Sequence, residues 1–564
     1  MAEDPSADTR AELASLLARS DAKAETELAE RFAGPLEFGT AGLRGVLGAG
    51  ETRMNRAVVL RTTHGLGNCL VKAVPNAKTR GVVIGYDGRR MSRELAEDTA
   101  CALAALGIRA HLFTTLGPTP LTSFAVKQLG AAAGVMVTAS HNPPEYNGYK
   151  VYWTNSAQII PPIDSDIARA IESAPPAKDV PRMPIGDART AGLVLDVADA
   201  VTEAYLAAIG ALRFGPKPRR DLRIVYTPMH GVGNVLARKA LATAGFSDVF
   251  SVPEQAEPDG AFPTVAFPNP EEKGAMDLSL SHARARDAEL ILANDPDADR
   301  LAVAIPHEKS ASKYLQLTGN QVGVLLGHHL LVRGRGATAE NPLVIASIVS
   351  SPQLGSIARA LGVRYEETLT GFKWIANRAM DLEREVKASF VFGYEEALGY
   401  TVGDVVRDKD GISAALLFAE LAAQLSSEGR TVHDELEALA RKYGLFVSGQ
   451  VNVVRKGSSG AEEIRSMMDR IRKSAPKTLG PYAVASISDF AAGARGLPKT
   501  NMVAFDLEGG SRVIARPSGT EPKAKFYFDV REPMAEGEPL DGAEARARRK
   551  MKQVEDDFVR LAEI

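Results

Sequence analysis

The sequence predicts an α/β protein built of several consecutive domains with parallel sheets. Three observations carry this. Short β-branched runs alternate with longer alanine- and leucine-rich runs at helical spacing. The short runs are apolar on both faces, as parallel strands buried between helices are. The chain has 564 residues, which at roughly 100–200 residues per domain means about three to five domains.

In chain order, the first residues, up to about position 30, read as one charged helix ahead of the first domain. The strand-like runs are VVIGY (82–86), LRIVY (222–226), LILA (290–293) and VIASIV (344–349). The helical runs are 95–106, 197–209, 358–361 and 414–425. Strand and helix in alternation imply βα units. The proline-rich stretch SAPPAKDVPRMP (173–184) lacks periodicity and reads as a linker. A looser break falls at 307–313, and a third at 441–446, where a long helical pattern stops at Tyr443-Gly444. Beyond it, strand runs 450–454 and 501–506 precede a closing helix at 542–562. The expected domains are therefore 1–184, 185–308, 309–443 and 444–564.

Composition narrows the function. Hydrophobic residues make up 45% and charged residues 24%, the proportions of a globular chain rather than a disordered one. A net charge of −3 speaks against a polyanion binder, so no nucleic-acid partner is expected. Cys69 and Cys101 are too few for a disulfide scaffold or zinc module, and both sit in apolar-looking stretches that suit buried thiols. The opening MAEDPSADTRAEL has neither the basic start nor the apolar core of a secretory signal, and no run approaches about 18 uninterrupted apolar residues. No membrane partner is expected, and the cytoplasm is the expected compartment.

Four segments carry candidate chemistry. In TASHNPPEYNGYK (138–150) an apolar run leads into a turn holding Ser140, His141 and two prolines. A serine at the carboxyl end of a buried strand lies where open α/β sheets bind ligands. Neighbouring residues seldom point the same way and no G-x-S-x-G elbow occurs, which disfavours a Ser-His hydrolase. Taken alone, the segment is equally an Asn-Pro turn. In LILANDPDADR (290–300), Asp295, Asp297 and Asp299 follow a strand at alternate positions. Such carboxylates repel one another unless a cation neutralises them, and hard oxygens at this spacing suit Mg²⁺. The absence of a glycine at the sixth loop position excludes an EF-hand, and Arg300 suits a phosphate contact. The alternative is a solvated acidic turn.

RVIARPSGTEPK (512–523) offers Arg516, Ser518, Gly519 and Thr520, a guanidinium, two hydroxyls and a loosened backbone that can converge on one anion without being a P-loop. A plain polar hairpin is the other reading. FGYEEALGY (392–400), followed by Lys409-Asp410-Gly411, places paired glutamates after a strand, where they can accept hydrogen bonds from vicinal hydroxyls. A solvated pair opening a helix is equally open there, and the same holds for TLTGFKW (368–374).

Together and in this order, TASHNP, D-x-D-x-D-R, GYEEA and R-x-S-G-T resemble the α-D-phosphohexomutase superfamily of phosphoglucomutases, phosphomannomutases and phosphopentomutases, over residues 38–523. The resemblance implies four domains around a central cleft, three similar mixed α/β sheet domains and a smaller C-terminal α+β domain. It implies that Ser140 is the phosphorylated serine and that Asp295, Asp297 and Asp299, with the serine phosphate, hold one Mg²⁺ per chain. Lys150 matches the lysine near the reacting hydroxyl, His141 shares the loop, and Arg44 and Arg89 match arginines near the phosphoserine. Glu395 matches a sugar-contacting glutamate, with Thr370, Gly371, Phe372 and Lys373 as the neighbouring specificity loop. Arg516, Ser518, Gly519 and Thr520, with Lys523 beside them, match the distal phosphate site.

The implied activity is an intramolecular phosphotransfer through a bisphosphorylated sugar, with a sugar bisphosphate as activator, by a monomer or homodimer. Glucose 1-phosphate and glucose 6-phosphate are the expected pair. Where many glucose- and mannose-type members carry Gly-Glu-Glu-Ser, this chain has Tyr394-Glu395-Glu396-Ala397. That departure resembles the subgroup holding phosphopentomutases and glucose-1,6-bisphosphate synthases, which keeps ribose phosphates and bisphosphate synthesis open beside a phosphomannomutase reading. A binding protein without catalysis is the reading from another class, opposed by the intact Ser140, Lys150 and three aspartates. A nucleotide-driven kinase lacks its motifs.

Overall fold

The computed structural model describes residues 4–39, 42–213, 221–455, 460–518 and 523–562. They form two compact units, Met1–Leu317 with Ala397–Gln424, and Thr318–Glu396 with Leu425–Ile564.

The first unit holds two sheets. The strands β1 (Leu43–Val46), β2 (Val82–Tyr86), β3 (Ala110–Leu112), β4 (Ala133–Val137), β5 (Tyr146–Tyr152) and β6 (Val194–Asp196) form a six-stranded sheet in the order β1-β5-β4-β2-β3-β6. Its β4-β2-β3-β6 part is parallel. β2 and β4 are buried at every position, which is why both read as unbroken apolar runs. Helices Arg56–Ala73 and Ser92–Ala105 supply Val59, Leu66, Leu70, Leu95 and Leu103 to the core beneath them. The second sheet runs β11-β10-β9-β7-β8, with β7 (Ile224–Thr227), β8 (Val249–Ser251), β9 (Leu290–Asn294), β10 (Leu301–Pro306) and β11 (Tyr314–Gln316). The short strand β15 (Gly399–Val402) belongs to this unit, where Gly399 bridges to Arg300.

In the second unit, β12 (Pro342–Ser347) is flanked by β13 (Arg364–Thr368) and β14 (Ser389–Glu395), both parallel to it. The C-terminal part is a six-stranded sheet in the order β16-β21-β20-β19-β18-β17, formed by β16 (Leu445–Val454), β17 (Thr478–Leu479), β18 (Tyr482–Asp489), β19 (Val503–Leu507), β20 (Arg512–Pro517) and β21 (Lys523–Glu532). The closing helix Leu540–Ala562 packs Phe558 edge-on against Phe505, Phe526 and Phe528.

Two details differ from the sequence reading. The single N-terminal helix is two, Ala7–Leu17 and Ala22–Arg31, because Asp21 caps the second by accepting from the Ala24 amide at 3.1 Å. Cys69 is buried, but Cys101 is only half-buried. By contact, residues 397–424 group with the first compact unit. They are tied there by the Leu301 amide on the Leu398 carbonyl and by the Tyr205 hydroxyl on Asp410. No helix among the described residues is long and apolar enough to cross a membrane.

Candidate active site

The serine loop leaves β4 at Thr138. Ser140 sits in the left-handed region, φ 52°, with its amide donating to Thr138 Oγ1 at 2.8 Å, while Thr138 Oγ1 donates to Asp87 Oδ2 at 2.6 Å. Asp87 is a hub that also accepts from Ser92 Oγ and the Arg89 amide. The buried Arg89 guanidinium donates to the carbonyls of Ser140, Asn142, Pro143 and Tyr146. Its two terminal nitrogens are thus spent on loop backbone and its Nε lies 3.5 Å from Asp87 Oδ2, so Arg89 braces the loop. Arg44 is an exposed side chain bonded to Asn142 Oδ1 at 3.0 Å.

The strained Ser140 backbone has a consequence that spacing alone does not give. Ser140 and His141, though neighbours, do meet, with Oγ 3.2 Å from Nδ1. Ser140 Oγ also donates to Asp295 Oδ2 at 3.0 Å. Burial and the nearby Arg300 and Arg44 guanidinium groups hold the His141 pKa well below the usual imidazole value, so the ring is neutral.

Asp295, Asp297 and Asp299 occupy the turn between the antiparallel β9 and β10. All three are buried, and each offers a carboxylate oxygen within 4.8 Å of the others. Lys150 Nζ, from β5, donates to Asp297 Oδ2 at 2.7 Å and Asp299 Oδ2 at 2.9 Å. Thr119 Oγ1 donates to the same Asp297 oxygen at 2.6 Å, and Lys409 Nζ lies 3.2 Å from Asp299 Oδ2. Burial and repulsion from its two neighbours push the Asp295 carboxyl well up. Burial opposes ionisation of Asp299 too, but Lys150, Lys409 and Arg300 overcome it and hold that carboxyl well down.

The donor set fits a hard divalent cation. Asp297 Oδ1 and Asp299 Oδ1 are buried without a hydrogen-bond partner among the described residues, a costly state for carboxylate oxygens unless a cation takes them. Arg300 lies alongside, its buried Nε 3.9 Å from Asp295 and 4.0 Å from Asp299 and without a hydrogen-bond partner among the described residues.

A second set lies in the second compact unit. Glu395 ends β14, and its Oε1 accepts from the Gly371 amide at 2.6 Å. Gly371 has φ 117°, a conformation that favours glycine, and it opens the helix Phe372–Val386. Lys373 is buried in that helix's first turn and Thr370 is half-exposed before it. Arg516 is next to last in β20, its side chain without a hydrogen-bond or ion-pair partner among the described residues, Lys523 begins β21, and the Ser518 amide donates to the Lys523 carbonyl at 2.7 Å. Gly519 and Thr520 lie outside the described residues.

Ser140, His141, Lys150, Arg300 and the three aspartates therefore form one cluster. Glu395 and Gly371 form another contact, with Lys373 following in the same helix turn. Lys409 had been noted only as part of a Lys-Asp-Gly sequence, and its contact with Asp299 was not legible.

Three family models cover the chain in succession: phosphoglucomutase/phosphomannomutase α/β/α domain I at residues 35–178, domain II at 203–308 and domain III at 318–443. The chain belongs to the α-D-phosphohexomutase superfamily. The mutase is 43% identical to a probable phosphomannomutase of Haemophilus influenzae over 482 residues, 85% of this chain and 93% of the relative. It is 35% identical to the phosphopentomutase of Homo sapiens over 547 residues, 91% and 88% of the two chains. Among solved structures, its fold matches the open form of parafusin, a phosphoglucomutase of Paramecium, with a TM-score of 0.69 at 19% identity over 94% of this chain and 96% of the other. The protein is a phosphomutase, an isomerase that works by intramolecular phosphotransfer, and its acidic cluster could hold a metal ion.

Proposed function

We propose that this mutase interconverts glucose 1-phosphate and glucose 6-phosphate through a phosphoserine at Ser140 and a bisphosphorylated sugar. The observation that carries the reading is the bond from Ser140 Oγ to Asp295 beside two carboxylate oxygens that have no hydrogen-bond partner among the described residues. It supports a serine whose phosphate shares a cation with Asp295, Asp297 and Asp299, and Mg²⁺ is the ion those donors suit. A cation held there supplies charge neutralisation on the transferring phosphoryl group.

In the forward step the bond between phosphorus and Ser140 Oγ breaks, a free sugar hydroxyl oxygen bonds to phosphorus, and the proton that hydroxyl loses ends on Ser140 Oγ, giving the bisphosphate and a free serine. The bisphosphate turns over and returns its other phosphoryl group to Ser140. Lys150, cationic between Asp297 and Asp299, keeps positive charge beside the reacting oxygen. Ser140 stays fixed by the Thr138–Asp87 chain and by Arg89. Arg300 contacts the transferring phosphate. Glu395, with Thr370, Gly371 and Lys373, receives the sugar hydroxyls. Arg516, Ser518, Gly519, Thr520 and Lys523 hold the phosphate that is not transferring. A sugar bisphosphate primes the unphosphorylated enzyme.

A second reading, a phosphopentomutase acting on ribose or deoxyribose phosphates, is favoured by Ala397 in place of a serine and by the phosphopentomutase relative. Comparing kcat/KM for the 1-phosphates of glucose, mannose, glucosamine and ribose separates the two. Glucose 1-phosphate is expected to be the best substrate, and a preference for ribose 1-phosphate overturns the first reading.

A further inference from the structure

The buried Arg512 opens β20, the strand that carries Arg516 next to its last residue. Its Nε donates to Asp529 Oδ2 on neighbouring β21 at 3.0 Å, and Ser448 Oγ fixes the other Asp529 oxygen at 2.6 Å. That pairing alone would satisfy a cation within the C-terminal sheet. The rest of the guanidinium turns elsewhere. Nη1 donates to Glu367 Oε1 at 2.9 Å, one residue before the 368–374 turn, and Nη2 donates to the Ser350 carbonyl beyond the end of β12.

Ser350 in turn grips the glutamate pair. Its hydroxyl accepts from the Glu396 amide at 3.0 Å and donates to Glu396 Oε2 at 3.3 Å, and Ser347 Oγ donates to the same oxygen at 3.1 Å. Glu395, the preceding residue, holds the Gly371 amide. One guanidinium therefore bonds to the residue before the 368–374 turn and, through Ser350, reaches the Glu395–Glu396 pair, while its own strand carries Arg516. Only a planar fork can do this, since a lysine ammonium offers no fixed set of divergent donors. Stability does not demand the arrangement, because well-packed apolar residues serve a buried position as well as an ion network does.

We propose that Arg512 is a positioning residue that holds the 368–374 turn, the Glu395–Glu396 pair and the strand leading to Arg516 in one arrangement, with Glu396 as the arm that orients Glu395. The proposal rests on the reading of Glu395 and Arg516 as sugar and phosphate contacts. A network that spaces those contacts acts on binding of either sugar monophosphate and leaves transfer at Ser140 alone.

The test is a set of double-mutant cycles on the full-length enzyme, with KM and kcat measured in both directions using glucose 1-phosphate and glucose 6-phosphate. Arg512→Gln and the milder Glu367→Gln should each raise KM about three- to tenfold for both substrates, with kcat changed less than about twofold. Arg512→Lys should not rescue. Glu367→Gln combined with Arg516→Ala should raise KM by less than the product of the two single effects, because part of the network acts through that arginine. Ser347→Ala, which touches only the Glu396 arm, should be silent in a Glu395→Ala background. Multiplying effects in both cycles, or a fall in kcat with KM unchanged, make the network merely structural and overturn the proposal. If Arg512→Gln does not fold, the Glu367 and Ser347 cycles decide alone. Should Arg516→Ala and Glu395→Ala themselves leave KM unchanged, the binding roles of those residues fail, an outcome distinct from multiplying effects.

Discussion

Ser140 Oγ and Asp295 Oδ2, 155 residues apart in the chain, lie 3.0 Å from each other in a hydrogen bond. Ser140 is buried, not on the surface where its loop position would put it. Ser140→Ala removes the proposed phosphate acceptor and one buried hydrogen bond, worth about 0.5–1.5 kcal/mol. The variant should therefore fold, melt slightly lower and have no mutase turnover. Intact-mass analysis should find one added phosphate on the wild type and none on the variant. Turnover near the wild-type rate would remove Ser140 from the mechanism.

Asp297 presents one oxygen to Lys150 and Thr119 and leaves the other without a hydrogen-bond partner among the described residues. Asp297→Asn keeps the shape but removes a negative charge from the cluster. Mg²⁺ affinity, read from the metal dependence of kcat and from Mn²⁺ binding by electron paramagnetic resonance, should fall by at least about tenfold. Unchanged metal dependence, together with indifference to chelators, would reduce the acidic loop to a turn.

What the sequence made legible is the chemistry that is local along the chain. TASHNP and the alternate aspartates each sit at the end of an apolar run, so strand, turn and functional group are read in one pass. The buried strands β2, β4 and β9 were visible for the same reason. β13 was not, because RYEET is mostly half-buried and polar, leaving no apolar run to detect. β16 begins five residues before the 450–454 run, because Gly444 at φ 98° stops one helix and Leu445 starts the strand directly. Lys409 and Arg512 were illegible for a different reason. Each has an ordinary local context, and its meaning comes from partners more than 100 residues away, Asp299 for one and Glu367 for the other.

His329 lies buried in the helix Gly319–Val332, where burial and the neighbouring Arg333 push its pKa down to about 4. The unfolded chain takes up a proton below about pH 6.5, and the folded one does not until near pH 4. More protons bound in the unfolded state means that stability falls on acidification. The loss begins below about pH 6.5, reaches about 2 kcal/mol at pH 5 and flattens below about pH 4. Urea midpoints of the wild type and His329→Gln, measured between pH 7 and 4.5, should diverge by this amount, with the wild type losing more. Parallel curves would mean that His329 protonates freely in the folded protein.

Ala397 follows the Glu395–Glu396 pair, at the position where hexose-type relatives carry a serine in the Gly-Glu-Glu-Ser motif. On the proposed sugar site one hydroxyl contact is thus absent, and a net hydrogen bond is worth about 0.5–1.5 kcal/mol. Ala397 is half-buried, so a serine hydroxyl adds little volume. Ala397→Ser should move the ratio of kcat/KM for glucose 1-phosphate over ribose 1-phosphate roughly three- to tenfold towards glucose, since about 1.4 kcal/mol corresponds to a factor of ten. Glu395→Ala, by contrast, should weaken both sugars, because a carboxylate can bridge hydroxyls that both rings possess. Direction is what decides. A shift towards ribose, or an unchanged ratio, means that the missing hydroxyl does not set preference, and residues 368–374, whose Gly371 amide Glu395 already holds, become the next place to change.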